Sequence, residues 1–251
     1  MKFNINKIEQ NRLYGELSHF YPYVIVREDY EPEVSYWHSI LKYYFPARKV
    51  KLLEMASGPG YLISYLSECV DAEVVDLSEE MLCQCGSLNP RVKCHKGDMR
   101  NIRLENKYDA VLVHDGIGHI DTVDGINDVC VTASAHLVQG GLFMLSPEFD
   151  ADEFTKPMIY HVTRKTPFGL LTIIDYINKS SSNTNILQTT TSYILDNEEG
   201  TNFDFDSMTL GLFGANVYKT SMEKAGFDVT IDRKPKDSSG ETRTVLIGVK
   251  K

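Results

Sequence analysis

The sequence predicts an α/β protein: a doubly wound, mostly parallel sheet of seven strands, Rossmann-like, with an antiparallel β insertion serving as a roof over its ligand-binding end. Three observations carry this expectation. Between about residues 50 and 150, short apolar runs alternate five times with amphipathic stretches, the signature of parallel strands joined by helical crossovers. From about 155 to 212 the period shortens to two, around polar turns, as antiparallel hairpins require. The tail then returns to one helical stretch and two strand-like runs.

The elements follow in order. "KVKLLEM" (49–55) reads as the first buried strand and "GYLISYLSECV" (60–70) as its helix. "AEVVDL" (72–77) is the second strand, and "SEEMLCQCGSL" (78–88) the second helix. Ser78 suits the N-cap, and Glu79 and Glu80 complement the positive end of the dipole. "VKCHKGD" (92–98), "YDAVLVHDG" (108–116) and "GLFMLSPE" (141–148) supply strands three to five, with a helix near 125–138. "GLLTIIDYINKSSSNTNILQTTTSYIL" (169–195) reads as a hairpin, and 192–213 as two strands around an acidic turn. The last helix is "NVYKTSMEKAGF" (216–227), and the last strands are "DVTIDR" and "TRTVLIGVK". Two helices are expected within 9–46. The resulting division is a lid segment at 1–46, a cofactor-binding core at 47–150, a roof at 151–213 and the closing elements at 214–251.

Composition narrows the function. The chain has 251 residues, 42% hydrophobic and 24% charged, enough for a sizeable core. A net charge of −9 argues against a phosphate-binding face and so against nucleic-acid partners. No apolar run approaches a membrane span, and "MKFNINKIEQNRLYG" lacks the apolar centre of a secretory signal. A cytoplasmic protein acting on a small molecule, as a monomer or homodimer, is expected. Five cysteines without a regular framework read as free thiols, and Cys83-Gln84-Cys85 has the wrong spacing for zinc.

The informative stretch is "LLEMASGPG" (52–60), at the carboxyl end of the first strand, where doubly wound sheets bind ligands. A tight turn with nothing bound is the plain alternative. No G-x-x-x-x-G-K-[ST] loop is present, which disfavours a nucleoside-triphosphatase. The dinucleotide fingerprint fits poorly, because Ile63 stands where a third glycine belongs and Pro59 removes an N–H from the would-be pyrophosphate cradle.

"LLEMASGPG" resembles the first motif of class I S-adenosylmethionine-dependent methyltransferases, with Ala56 in place of the first glycine. "VVDLSEEML" (74–82), "GDMRNI" (97–102), "YDAVLVHDGIGHI" (108–120) and "HLVQGGLFMLSPE" (136–148) resemble the motifs that follow, in the same order. "MEKAGF" (222–227) is similar to the family's last helix. The resemblance implies S-adenosylmethionine as methyl donor and S-adenosylhomocysteine as product. Asp76, 22 residues beyond Glu54, would accept the two ribose hydroxyls. Asp98, 22 residues further on, would accept from the adenine amino group beside the Met99 backbone. Leu77 and Met99 would sandwich the ring, with Met81 in the same set. Ala56, Gly58 and Gly60 would admit the methionine portion, and Glu54 would hold its ammonium. His114 and Asp115 would line the cofactor side.

Methyl transfer needs nucleophile, methyl and sulfur in line, plus a base where a proton must leave. His119 is the candidate base or substrate-orienting residue; a structural histidine bonded to a carbonyl is its alternative. His114, Asp115 and His119 would need a further ligand to hold a metal, and none is expected.

"IGHI", "LYGELSHFY" (13–21) and the insertion before "GLF" (211–213) resemble bacterial amino-sugar N-methyltransferases. That resemblance implies Tyr14 as lid and substrate contact, Tyr21 and Tyr23 beside it, and Phe168, Tyr176 and Phe213 lining the roof. The expected reaction is methylation of an amine nitrogen, with oxygen as the alternative acceptor. A cofactor-binding protein without transfer activity and a nicotinamide-dependent oxidoreductase are the rival readings.

Overall fold

A computed structural model describes residues 11–235 and 242–251. The first ten residues of the expected lid segment, including positions 9 and 10 of its helical stretch, lie outside the described residues.

Past a short turn at Arg12–Tyr14, the lid runs through α1 (Tyr21–Val24) into α2 (Glu31–Tyr44). Pro32 sits in the first turn of α2, where its missing N–H has no helical partner to lose. Glu33, Trp37 and Leu41 fall four residues apart and form the buried stripe of that helix.

The core then proceeds through β1 (Val50–Met55), α3 (Tyr61–Leu66), β2 (Val70–Asp76), α4 (Glu79–Leu88), β3 (Lys93–Lys96) and β4 (Tyr108–Asp115). It continues through α5 (Val123–His136) and β5 (Leu137–Pro147). Ser78 caps α4 as expected, its Oγ accepting from the Met81 N–H at 3.1 Å. One difference lies at β5, which starts at Leu137 directly after α5. The expected turn at "QGG" becomes a register break within the strand.

The antiparallel insertion holds β6 (Met158–Thr166), β7 (Gly169–Lys179), β8 (Ile186–Asn197) and β9 (Gly200–Gly211), paired in that order. The hairpins over 169–195 and 192–213 form as expected; β6 is an additional strand. α6 (Ala215–Lys224), β10 (Phe227–Pro235) and β11 (Thr242–Lys250) close the chain.

The main sheet has seven strands in the order β10-β11-β5-β4-β1-β2-β3. β1 through β5 pair in parallel, and β11 lies antiparallel between β5 and β10. Seven of the eight β4 residues are buried, as a strand covered on both faces must be. One apolar cluster lies under α5 and α6, the other under α2, α3 and α4. The strand order reverses between β4 and β1, so a crevice opens beyond their carboxyl ends.

Candidate active site

The bend after β1 has three residues in left-handed conformation: Ala56 (φ 55°), Gly58 (φ 54°) and Gly60 (φ 70°). Glycine is required at position 60, where a Cβ would lie 2.5 Å from Cys85 Sγ and 2.8 Å from Asn89 Nδ2. At Ala56 the same backbone carries a methyl group, at a strain of about 1–2 kcal/mol. Across from it only glycine fits at position 116, because a Cβ there would lie 2.4 Å from Ala56 Cβ.

Asp76, at the tip of β2, accepts from the Gly58 N–H at 2.7 Å and the Ser78 N–H at 2.9 Å. Its carboxylate therefore fixes the bend while lining it. Burial raises its pKa, against those backbone hydrogen bonds. Leu77 beside it is 67% exposed at the crevice rim. Asp98 ends the third strip of chain, and Arg100 chelates both its oxygens at 2.5–3.0 Å. That guanidinium holds its pKa down. Met99 is buried against the core.

Glu54 is the telling group. It is 4% exposed, and its Oε2 has no hydrogen-bond partner. Burial first, with Asp76 and Asp115 adding and His114 opposing, pushes its pKa up to about 8. A carboxyl sealed in this way favours a cationic ligand. The donor set fits an adenosyl-methionine group: Glu54 toward an ammonium, Gly58 without a Cβ at the bend, Asp76 at a ribose and Leu77 against an adenine.

The lid is tied to the insertion and the core. Arg12 holds Asp204 at 2.6 and 2.9 Å, and the Leu13 N–H donates to Asp206 at 2.9 Å. Ser78 Oγ donates to the Tyr14 carbonyl at 2.5 Å. So anchored, the Tyr14 hydroxyl lies 3.2 Å from His119 Nε2, with the two rings edge to face. His119 follows β4 on a short turn, Gly116–His119. Its ring has surface open to the crevice, yet the surrounding protein desolvates it and lowers its pKa. Burial likewise raises the Tyr14, Tyr21 and Tyr30 hydroxyls well above the ordinary range. The Tyr21 hydroxyl lies 3.5 Å from where a Cβ on Gly58 would stand.

Several expected contacts need correction. His114 does not line the crevice: it is buried beneath the floor, its Nε2 2.9 Å from Glu33 and 3.1 Å from Lys234 Nζ. Met81 is fully buried in the cluster that joins the lid to the insertion, and Phe213 is buried in the core beside Tyr218. Tyr176 pairs with Ile159 and Thr190 on the outer face of the insertion, opposite the face carrying Leu171, Ile173 and Tyr193. Phe168 sits at the end of the insertion, in edge contact with His19 and Phe20. Tyr23 packs at the edge of the lid cluster. Asp115 does reach the crevice floor with a strained φ of 57°, but Arg243 binds its carboxylate.

Tyr30, Glu33, Glu148, Lys234 and Arg243 were not expected. The Tyr30 hydroxyl is within electrostatic reach of Asp115, Glu54 and Glu148. Burial opposes the Arg243 charge, and Asp115 and Glu148 more than offset this. Glu148 directly follows β5, and the strand-tip rule that singled out Glu54 and Asp76 applies to it equally.

A doubly wound sheet of this order, with acidic strand tips around a left-handed glycine bend, is the fold of a class I methyltransferase. Residues 52–141 match the family model described as a methyltransferase domain. The chain is 29% identical over 129 residues to dTDP-3-amino-3,4,6-trideoxy-alpha-D-glucopyranose N,N-dimethyltransferase of Streptomyces venezuelae. That match spans 51% of this chain and 54% of the relative, about half its length. It is 23% identical over 220 residues to dTDP-3-amino-3,6-dideoxy-alpha-D-glucopyranose N,N-dimethyltransferase of Streptomyces fradiae, covering 86% of this chain and 85% of the relative. Its fold is similar to that of SAM-bound CalS10, an amino pentose methyltransferase from Micromonospora echinaspora. The TM-score there is 0.78 at 17% identity, over the whole of both chains.

Proposed function

We propose that this protein transfers a methyl group from S-adenosylmethionine to the amine nitrogen of a small molecule, with an amino sugar as the favoured acceptor class. The observation that carries this reading is the Tyr14–His119 pair, 3.2 Å apart over an acidic crevice. The relatives named as N,N-dimethyltransferases of amino sugars support nitrogen over oxygen.

When bound, the cofactor supplies an electrophilic methyl on a sulfonium, so a C–S bond breaks as the N–C bond forms. The chain's own residues do the rest. Glu54 would hold the ammonium of the cofactor and Asp76 its ribose, and the Gly58–Gly60 bend would admit its methionine portion. Acidic surroundings concentrate an ammonium-bearing acceptor, but an ammonium ion has no lone pair with which to attack. His119, with its lowered pKa, is neutral near pH 7 and can take the proton that must leave. Tyr14 keeps its proton, so its hydroxyl can donate to His119 or to an acceptor oxygen. Alignment contributes the larger share of the acceleration, because the transition state disperses charge that is already present.

All five cysteines are unpaired, which supports a reducing compartment. Among the described residues no helix is long and apolar enough to cross a membrane.

The test is direct. The purified chain is incubated with S-adenosylmethionine and a panel of amino sugars, free and nucleotide-linked, beside their hydroxyl counterparts. S-adenosylhomocysteine formation with amines and not with the hydroxyl set supports the reading. Turnover confined to hydroxyl acceptors, or cofactor binding without turnover on any acceptor, removes it.

A further inference from the structure

The inner face of the insertion is apolar toward both ends and polar between them. Read across the four strands, its rows are Val162–Ile173–Tyr193–Asp204, Tyr160–Asp175–Thr191–Asp206 and Met158–Ile177–Thr189–Met208. The first row packs on the lid cluster that holds Tyr14. Beyond the third, β9 docks on the turn carrying His119, with Leu210 4.0 Å from where a Cβ on Gly118 would stand. The polar row therefore lies between the roof's contact with the Tyr14 segment and its contact with the His119 turn. Asp206 in that row is engaged, accepting from the Leu13 N–H at 2.9 Å and the Ser207 N–H at 2.7 Å. Asp175 is half-buried and takes the Thr191 hydroxyl. On either side of it stand the Thr189 and Tyr193 hydroxyls, which have no hydrogen-bond partner although their residues are only 4% and 2% exposed. The Tyr193 hydroxyl is within electrostatic reach of Asp206, Asp175 and Tyr14, with Thr191 beside it. A buried hydroxyl left unpaired costs about 1–3 kcal/mol. Two of them flanking one half-buried carboxylate point to partners that a ligand supplies.

We propose that Asp175, Thr189 and Tyr193 form the subsite that reads the methyl acceptor, and that this acceptor is a hydroxyl-bearing amine carrying no phosphate. The proposal rests on the methyl-transfer reading above and names the substrate class of the same site. Asp175 and Asp206 are two strands apart, about 10 Å. A single ring lying under the row reaches Thr191 and Asp175 while its amine stays at the Asp206 end, beside the Tyr14 segment.

The donor set fixes the class. An ionised carboxylate only accepts, so Asp175 takes a hydroxyl or ammonium donor, whereas the Thr189 and Tyr193 hydroxyls can each give and accept. Neighbouring hydroxyls on one ring satisfy all three. A phosphate brings acceptors and negative charge to a roof that holds Asp175 and Asp206, over a crevice that holds Glu54, Asp76 and Asp115. Arginine is the usual receiver of such an anion. Here Arg12 is committed to Asp204, Arg100 to Asp98, Arg164 to the Tyr23 carbonyl and Arg243 to Asp115. A site built to bond hydroxyls also rejects an amine that lacks them, because its buried polar groups are then left unpaired.

The test measures S-adenosylhomocysteine formed by the full-length chain with glucosamine and kanosamine, with their anomeric phosphates, and with cyclohexylamine, which has the amine without the hydroxyls. The wild type should favour a free sugar over its phosphate by at least about tenfold in kcat/KM, and over cyclohexylamine by more. Asp175→Asn should lower kcat/KM on the free sugar at least about tenfold, narrow both preferences, and keep the wild-type thermal shift with S-adenosylhomocysteine. Thr189→Val and Tyr193→Phe should melt at or above the wild-type temperature, since each removes a polar atom that the resting protein leaves unpaired. Each should nevertheless lower kcat/KM on the free sugar about fivefold and leave cyclohexylamine unchanged. Preference for the phosphates, or losses in the three variants that are equal on sugar and cyclohexylamine, overturns the subsite and leaves methyl transfer to amines standing. Turnover on none of these amines overturns the proposal as well, and the wider acceptor panel then decides the methyl-transfer reading separately.

Discussion

Tyr14 and His119 are 105 residues apart in the chain, yet their polar atoms meet at 3.2 Å across the crevice. Each comes from a different layer. Tyr14 is held by the contacts of its neighbours Arg12 and Leu13 with the insertion, and by its own carbonyl to Ser78 at the head of α4. His119 is held by the turn after β4. The pair therefore reports whether lid, insertion and core are docked.

His119→Ala should lower kcat by about 10²-fold or more, the contribution of a positioned base. Affinity for S-adenosylhomocysteine should stay within twofold or so if the ring acts on the proposed acceptor and not on the cofactor. Because burial lowers the His119 pKa, the acid limb of kcat/KM should fall below the ordinary histidine value of about 6.5. The same depression makes stability fall as pH drops through the unfolded-state value, where the unfolded chain takes up the proton first. A pH–rate profile unchanged in His119→Ala would return the residue to a structural role.

Glu54 should behave in the opposite sense. Its pKa is raised to about 8 from 4.5. Its contribution is thus fully present below about pH 4.5 and is lost as pH rises through about 8. Glu54→Gln should stabilise the ligand-free protein at pH 8.5 by up to about 5 kcal/mol and leave it little changed at pH 4.5. It should also weaken S-adenosylmethionine binding at least about tenfold, because the ammonium loses its counter-charge. Melting curves with and without S-adenosylhomocysteine at pH 6 and 8.5 separate the two effects. A variant destabilised at pH 8.5 would show that Glu54 has an ionic partner in the resting protein.

Asp76→Asn tests the bend. The carboxylate takes two backbone N–H groups at 2.7 and 2.9 Å. An asparagine oxygen can replace one of these, and its NH₂ would face the other donor. Cofactor affinity should drop about 100-fold, and stability by about 1–3 kcal/mol. Isothermal titration with S-adenosylhomocysteine and urea unfolding measure the two losses. Unimpaired affinity would remove Asp76 from the cofactor site.

What could be read from the sequence follows physical lines. Glu54 and Asp76 were legible because an apolar run ending in an acid marks a buried parallel strand and its tip; Asp98 follows the polar, partly exposed β3 and was legible only through the resemblance of "GDMRNI" to a family motif. The hairpins of the insertion were legible from two-residue alternation around "NKSSSNTN" and "DNEEG". Strand β6 was not, since "MIYHVTRKT" mixes polar and apolar residues on an edge strand with no buried positions in its pattern. Met81 and Phe213 were assigned to the crevice because an apolar residue near a motif looks the same whether it packs inward or lines a pocket. Only the three-dimensional register placed them in the core. The buried charges were hardest: nothing local distinguishes Glu33 or Lys234 from surface residues, because their burial depends on elements 201 residues apart.

That last network yields the sharpest stability contrast. Glu33 is 2% exposed and receives Trp37 Nε1 at 2.8 Å, His114 Nε2 at 2.9 Å and the Lys234 amine. Lys234 is wholly buried, and burial drives its pKa down to about 5. Removing Glu33 leaves three buried polar groups without their shared acceptor, so Glu33→Ala should cost about 3–5 kcal/mol. Lys234→Met removes an expensive amine, keeps most of the volume and leaves Glu33 with two donors. Near pH 10 it should be nearly neutral, within about 1 kcal/mol, and of either sign. Because the Lys234 pKa lies below its unfolded value of about 10.5, the wild type should lose stability as pH falls from about 10 toward 5 relative to Lys234→Met. Urea unfolding of both variants at pH 6 and 9 decides the matter. If Lys234→Met were as damaging as Glu33→Ala, the amine would be a charged keystone of the floor.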